Sequence, residues 1–313
     1  MPLSPPPLPR LLVCDLDGTL LNSQGTITEA TIAALHRAVH AGVEVAFATG
    51  RRHSFAWEVL SAIGLDGRTV LISSNGALVR TFSGERLHRT SMPVQTALLL
   101  CRQLQEFRSS LIFTFERTGP GALVVEDIET LKRTIPRWVE SNLREIECVA
   151  PLERAFDGGD EPVQAMICGT MRQMEKAMHV LDAETPGATH LRERISIHRT
   201  EYATRDLCIV DLMPGACSKG TAVARLAAER GIDVAEIAAI GDNMNDADML
   251  ALVGRPIVMQ NAAPELLEMA YRKGWTITGG NDRDGAAKAI LHLLDEDLHK
   301  QGLRAVTDGV PAD

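Results

Sequence analysis

Hydrophobic and polar positions along the first 80 residues fall into blocks that predict strand, helix, strand, helix, strand. Arg10–Asp15 carries an unbroken apolar run, the pattern of a buried strand, and Asp17-Gly18-Thr19 reads as the turn after it. Thr28–His40 has Ile32, Leu35 and Val39 on one helical face, with Thr28 placed to cap the helix and Gly42 to stop it. Val43–Thr49 predicts a second strand, Phe55–Ile63 a helix and Thr69–Ser73 a third strand. After Asn75-Gly76 the pattern changes. β-like pieces (Leu111–Phe115, Leu123–Val125, Val163–Cys168) mix with helical ones, of which Pro93–Phe107 and Met171–Leu181 are clearest. Asp157–Glu161 reads as an exposed loop, and Met171, Met174 and Met178 share one helical face as core packing. From Leu207 the first pattern returns, as strand Leu207–Leu212, helix Ser218–Arg230, strand Ile237–Gly241, helix Asp246–Leu252, strand Arg255–Met259 and helix Gly285–Leu294. The polar tail past Leu294 is expected to be mobile.

Strand–helix alternation of this kind predicts a parallel sheet covered on both faces. The expected architecture is an α/β fold: a split, Rossmann-like parallel-sheet core from residues 1–80 and 205–313, with an α+β domain, residues 81–204, inserted between its halves.

Composition narrows the function classes. A formal net charge of −9 repels phosphate polymers over most of the surface, which argues against nucleic acid and anionic membrane as partners. No run approaches the roughly 18 apolar residues of a membrane span, and the proline-rich segment Met1–Arg10 lacks the apolar stretch of a signal peptide. None of the six cysteines forms a CxxC pair, which fits a reducing, cytoplasmic location. The nine histidines are scattered and contain no HExxH. Oligomeric state is not written in the pattern.

In an open parallel sheet, ligands bind beyond the carboxyl ends of the strands. Asp15-Leu16-Asp17-Gly18-Thr19, Thr49-Gly50-Arg51, Ser218-Lys219-Gly220 and Gly241-Asp242-Asn243-Met244-Asn245-Asp246 all fall at such ends or at a helix start. Each alone has a plain structural reading, as a turn or a solvated charge. Together they gather carboxylates, a lysine and a threonine hydroxyl at one edge. Two carboxylates about 4 Å apart repel by roughly 4 kcal/mol at an effective dielectric near 20, so such a group calls for a cation or raised pKa values. All-oxygen ligands without clustered His or Cys favour a hard ion, and a site open to phosphate favours Mg²⁺.

The run Asp15-Leu16-Asp17-Gly18-Thr19-Leu20-Leu21 resembles the first motif of the haloacid-dehalogenase superfamily. Thr49, Lys219 and Gly241–Asp246 resemble its second, third and fourth motifs, in order. Ile72-Ser73-Ser74-Asn75-Gly76-Ala77 and Asn281-Asp282-Arg283-Asp284-Gly285 are similar to the Cof-type branch, subfamily IIB, whose inserted domain is a C2-type cap. The likeness covers roughly 1–80 and 205–294; the cap matches by length and position only, with no substrate motif.

The resemblance implies a Mg²⁺-dependent phosphatase acting on a small phosphorylated metabolite, a sugar phosphate or a phosphorylated cofactor. Asp15 would be the nucleophile and Asp17 the general acid and base. Thr49, Gly50, Lys219 and Asn245 would hold the phosphate with Asp15. Asp15, the Asp17 carbonyl and Asp242 would bind the metal, and Asp246 would stand behind them, with a second reading as a helix N-terminal carboxylate. Asp248 has that second reading alone, Arg51 meets either substrate or solvent, and Arg52 is expected at the surface. Phosphomutase-type transfer uses the same motifs, and a silent phosphate-binding module is the alternative outside enzymes.

Overall fold

The computed structural model describes residues 7–182 and 191–298. The chain divides into two compact units; in terms of described residues, one holds 7–46, 227–242 and 250–298, and the other holds 47–182, 191–226 and 243–249. The described residues of the expected insertion, 81–182 and 191–204, fall in the second unit together with the strands before and after it.

In the first unit, strands Thr276–Ile277, Arg255–Val258, Ile237–Gly241 and Leu11–Cys14 are hydrogen-bonded neighbours in that order, all parallel. Every residue of Leu11–Cys14 and of Ile237–Gly241 is buried, as strands covered on both faces require. Their register, Leu11↔Ile237 through Cys14↔Ile240, leaves the two carboxyl ends level. Helix Glu29–His40 buries Ala34, Leu35 and Ala38 and packs against Gly285–Leu298; Thr28 caps it by accepting a hydrogen bond from Thr31 N. The closing helix runs to Leu298, past its expected end, and the tail beyond it lies outside the described residues.

In the second unit, Val70–Ser73 pairs antiparallel with Leu78–Thr81, which pairs with Arg86–Arg89 through a bulge at Val79/Arg80. The insertion and the strand after it build a six-stranded sheet in the order Ile195–Tyr202, Leu207–Pro214, Gln164–Gly169, Ile112–Thr114, Leu123–Val125, Ile146–Cys148. Leu207–Pro214, expected to resume the parallel core sheet, instead pairs antiparallel with Ile195–Tyr202 and Gln164–Gly169, so the second sheet runs past residue 204. Successive side chains point to opposite faces of this sheet. Phe113, Val124, Ala165, Ile167 and Val210 face Met92, Leu100 and Met174, whereas Ile112, Leu123, Val125 and Cys168 face Leu131, Ile135 and Val139. Met171 and Met178 pack beside buried Met174 as core residues, in agreement with their helical spacing.

Several elements escape the hydrophobic pattern for physical reasons. Ile195–Tyr202 is an edge strand, half-exposed along its length and carrying His198, Arg199 and Glu201, so no sustained alternation marks it. Ile128–Thr134 and Pro136–Asn142 are helices of only 7 residues each, too short for a clear period. The expected single helix Pro93–Phe107 is Val94–Gln103 followed by a 3₁₀ segment, Gln105–Ser110. Asp246–Leu252 divides likewise into a 3₁₀ turn, Met244–Asp246, and helix Ala247–Leu252.

Candidate active site

In the first unit, Asp15 and Asp242 each follow directly on one of the two adjacent parallel strands. Asp15 N donates to Ile240 O at 3.0 Å, and the residue is 4% exposed. The Asp15 and Asp242 carboxylates each offer an oxygen, and these lie within 4.8 Å of one another. Thr19, read from the sequence as a turn residue, does more than close the turn: its Oγ1 donates to Asp242 Oδ1 at 3.1 Å. Gly18 sits at φ +79°, where a Cβ would come within 2.1 Å of Asp242 Oδ2. Asp17, between them, is exposed.

The loop after the first motif is tied down by the Asn281–Asp284 segment. Asn281 Nδ2 donates to Leu21 O (2.8 Å), Asp282 accepts from Ser23 N (2.7 Å) and Asp284 accepts from Thr28 Oγ1 (2.7 Å). Asn261 Nδ2 donates to Gly18 O (2.8 Å), while its Oδ1 accepts from Asn281 N (2.9 Å). Burial, followed by the neighbouring Asp15 charge, pushes the Cys14 thiol far up, so this cysteine is a core residue and no nucleophile.

In the second unit, Thr49 is fully buried; its Oγ1 accepts from Arg51 N (3.1 Å) and its carbonyl accepts from Asn75 N (3.0 Å). Gly50 lets that turn close on Asn75, since a Cβ there would stand 3.2 Å from Asn75 Oδ1. Gly76, at φ +100°, does the same against Ser218 O, the residue before Lys219. Lys219 opens helix Lys219–Arg230 with 1% exposure, and its Nζ donates to Asp246 Oδ1 at 2.6 Å. Asp246 is fully buried and its other oxygen accepts from Asn243 N at 3.0 Å, so the lysine partner and the capping role coexist. Removing one partner of a buried pair like this typically costs about 3–5 kcal/mol, because the other charge stays behind uncompensated. Asp248 lies in the first turn of helix Ala247–Leu252, as expected, and also accepts from Gly220 N (3.1 Å) at the start of helix Lys219–Arg230.

Arg51 lies with its guanidinium 4.8 Å over the Phe55 ring. Arg52 is not a surface residue: it binds Asn142 Oδ1 at 2.7 Å and pairs with Glu145, its side chain 14% exposed. Reading Thr49-Gly50-Arg51-Arg52 alone could not anticipate partners that lie some 90 residues on.

Asn75 stands in the stretch that resembles the Cof-type branch, but the sequence assigned it no role of its own. Its backbone is left-handed (φ 47°, ψ 35°), a conformation tolerated by asparagine better than by most side chains. Its Nδ2 donates to Asp211 Oδ2 (3.2 Å), its Oδ1 accepts from Asn245 Nδ2 (3.0 Å), and Gln164 Nε2 donates to Asp211 Oδ1 (2.7 Å). An ionised Asp211 can only accept, so Asn75 must turn its amide toward it and its carbonyl toward Asn245. The orientation of Asn245, a fourth-motif residue, is thereby set from strands Leu207–Pro214 and Gln164–Gly169. The signal available was Ser-Asn-Gly directly after a strand.

Burial pushes Asp211 up to about 6, against the opposing hydrogen bonds of Gln164 and Asn75 and the more distant Lys219 charge. Between pH 4 and 6 the folded chain therefore holds a proton that the unfolded chain has lost, so stability falls as pH rises through that window. A shift of about two units corresponds to about 3 kcal/mol at most. Urea unfolding at pH 4 and pH 6.5 is expected to show this decline in the wild type and to lose that component in Asp211→Asn.

Residues 12–290 match the family described as haloacid dehalogenase-like hydrolase. The chain belongs to this family. Among curated relatives of this hydrolase, phosphatase YwpJ of Bacillus subtilis is 28% identical over 308 residues, spanning 91% of this chain and 100% of the relative. An HMP-PP phosphatase of Cronobacter sakazakii is 30% identical over 293 residues, spanning 91% and 96%. The fold is shared with a haloacid dehalogenase-like hydrolase from B. subtilis, at TM-score 0.74 and 22% identity over 91% of this chain and 99% of that one. It is also shared with a subclass IIB sugar phosphatase, at TM-score 0.71 and 21% identity over 90% and 98%. The family and its phosphatase relatives make this hydrolase a phosphatase, with the mixed α/β, Rossmann-like fold that the hydrophobic pattern predicted.

Proposed function

We propose that this phosphatase hydrolyses the phosphate monoester of a small metabolite, using Asp15 as nucleophile and Mg²⁺ as cofactor. The observation that carries the reading is the approach of the Asp15 and Asp242 carboxylates, within 4.8 Å, at the level carboxyl ends of two adjacent parallel strands. Two carboxylates so placed, with Gly18 and Thr19 holding one of them, suit a hard cation that takes oxygen ligands. Asp15, Asp242 and the Asp17 carbonyl would hold it, and bound Mg²⁺ would neutralise charge on the phosphate.

Asp15 would attack phosphorus, forming an aspartyl-phosphate, an acyl phosphate, while the alcohol leaves; water would then release inorganic phosphate and restore the Asp15 carboxylate. Asp17, which is exposed, would give the departing oxygen its proton and take one from the water. Thr49, Gly50, Lys219 and Asn245 are assigned to the phosphoryl oxygens on motif order, and Asp246 to holding Lys219, its partner at 2.6 Å.

Residues 81–204 are assigned as the cap that restricts the substrate, on their length and their place between Asn75-Gly76 and Lys219. The relatives named for HMP-PP and for sugar phosphates support a small phosphorylated substrate. All six cysteines are free, which agrees with a reducing, cytoplasmic setting, and among the described residues no helix is long and apolar enough to cross a membrane. The net charge of −9 supports neither nucleic acid nor membrane as partner.

EDTA is expected to abolish hydrolysis of p-nitrophenyl phosphate and added Mg²⁺ to restore it. Asp242→Ala is expected to raise the Mg²⁺ concentration for half-activity more than tenfold, since disturbing even the outer partners of a metal site costs roughly 10–100-fold. Full activity in metal-free protein would overturn the metal assignment. Measuring inorganic phosphate against isomer formation separates hydrolysis from the mutase reaction.

A further inference from the structure

A cleft of about 260 Å³ lies within the second unit, a little below the roughly 300–1,000 Å³ usual for ligand pockets. Its walls include His53 and Ser74, the hairpin residue Arg80, and Phe115, Glu116 and Arg117 from the end of strand Ile112–Thr114. Ser74 N donates to Arg51 O at 2.8 Å, so this wall adjoins the Thr49-Gly50 turn assigned to phosphate.

The charge in this cleft is out of balance. On its walls Glu116 pairs with Arg80 (2.5 Å) and, from outside the cleft, also receives Arg89 (3.0 Å) and Arg86 (3.2 Å), while the wall residue Arg52 is paired with Glu145. Arg117 stands next along, its guanidinium 4.4 Å over the Phe115 ring and only 3.9 Å from an exposed carboxylate, Asp160. Arg89 also donates to Glu161 O (2.9 Å), and guanidinium groups converging on one carboxylate repel one another. Burial first, then the Arg80 charge, pulls His53 down to about 4, so its imidazole is neutral at pH 7. Two buried polar atoms on the walls, Arg80 Nε and His53 Nδ1, have no hydrogen-bond partner, where native interiors leave few such groups unpaired. In a chain of net charge −9, this is a local concentration of positive charge around a space of small-molecule size.

We propose that the cleft receives the non-reacting end of the substrate and that this end carries an anionic group, a carboxylate or a second phosphate, held by Arg80 with His53 and Arg117 beside it. This rests on the phosphatase reading for the reacting phosphate. It narrows the substrates from phosphate esters in general to those with a second acidic function.

The test compares kcat/KM within matched pairs: fructose 1,6-bisphosphate against fructose 6-phosphate, and 3-phosphoglycerate against glycerol 3-phosphate. The wild type is expected to prefer the doubly anionic member of at least one pair by tenfold or more, and the pair that shows it identifies phosphate or carboxylate. A hydrogen bond to a charged group contributes about 1.5–3 kcal/mol, so Arg80→Gln should cut that preference roughly ten- to a hundredfold, and Arg80→Lys should restore part of it. Should Arg80→Gln unfold, Arg117→Gln carries the same expectation at smaller size. Calorimetric titration of metal-free protein with each pair reads the preference without turnover, so it stands even if the nucleophile assignment fails. A preference below about twofold in both pairs, or equal loss on both members in Arg80→Gln, would overturn the anionic subsite while leaving Asp15-dependent hydrolysis intact.

Discussion

Asp15→Asn is expected to leave no measurable turnover of any phosphate ester, a loss of at least about 10⁴-fold by analogy with the removal of other catalytic nucleophiles. The substitution preserves shape at a position 4% exposed and leaves the backbone bond from Asp15 N to Ile240 O in place. Activity should therefore vanish without loss of the fold, as read by circular dichroism. No neighbour can substitute. Cys14 is fully buried with its thiol pushed far up, and Asp242 is engaged by Thr19 and packed on Gly18. Kinetics with saturating Mg²⁺ check it; turnover within tenfold of the wild type would refute the assignment of Asp15.

Gly18→Ala is expected to be nearly as damaging, although it adds a single methyl group. The new Cβ would stand 2.1 Å from Asp242 Oδ2, on a side chain whose Oδ1 already accepts from Thr19 Oγ1. Asp242 would have to retreat by about 1 Å, and a displacement of that size at a reacting centre can cost about a hundredfold in rate. The left-handed backbone, φ +79°, adds roughly 1–2 kcal/mol of strain for any L side chain. Gly25→Ala separates the two costs: its φ of +77° is the same, but nothing lies within 4 Å of its Cβ position. Gly25→Ala should lower stability by a similar strain and leave kcat near the wild-type value. Equal kcat losses in the two variants would show that strain, and not the contact with Asp242, is responsible.

The parallel strands were legible because burial on both faces demands unbroken apolar runs, as in Leu11–Cys14 and Ile237–Gly241. The Asp15, Asp17, Lys219 and Asp242 motifs were legible because each follows such a strand or begins a helix. What stayed hidden depends on pairs far apart in sequence. Asn75 is set by Asp211, 136 residues away, and Asn245 by Asn75, 170 residues away. Arg52 was expected at the surface because its partners, Asn142 and Glu145, lie in a short helix and a turn without a strong period. Helix Pro264–Lys273 did carry readable end signals, a proline in its first turn and Gly274 just past its end, yet its mixed surface gave no long apolar stripe.

The central claim, that phosphate passes through Asp15, is tested most directly by the stereochemical course at phosphorus. Two successive in-line displacements, first by Asp15 and then by water, restore the original configuration, whereas a single attack by water inverts it. Hydrolysis of a phosphate monoester made chiral with oxygen isotopes, or of its thiophosphate analogue in labelled water, gives inorganic product whose handedness can be read. The account predicts net retention; net inversion would contradict it.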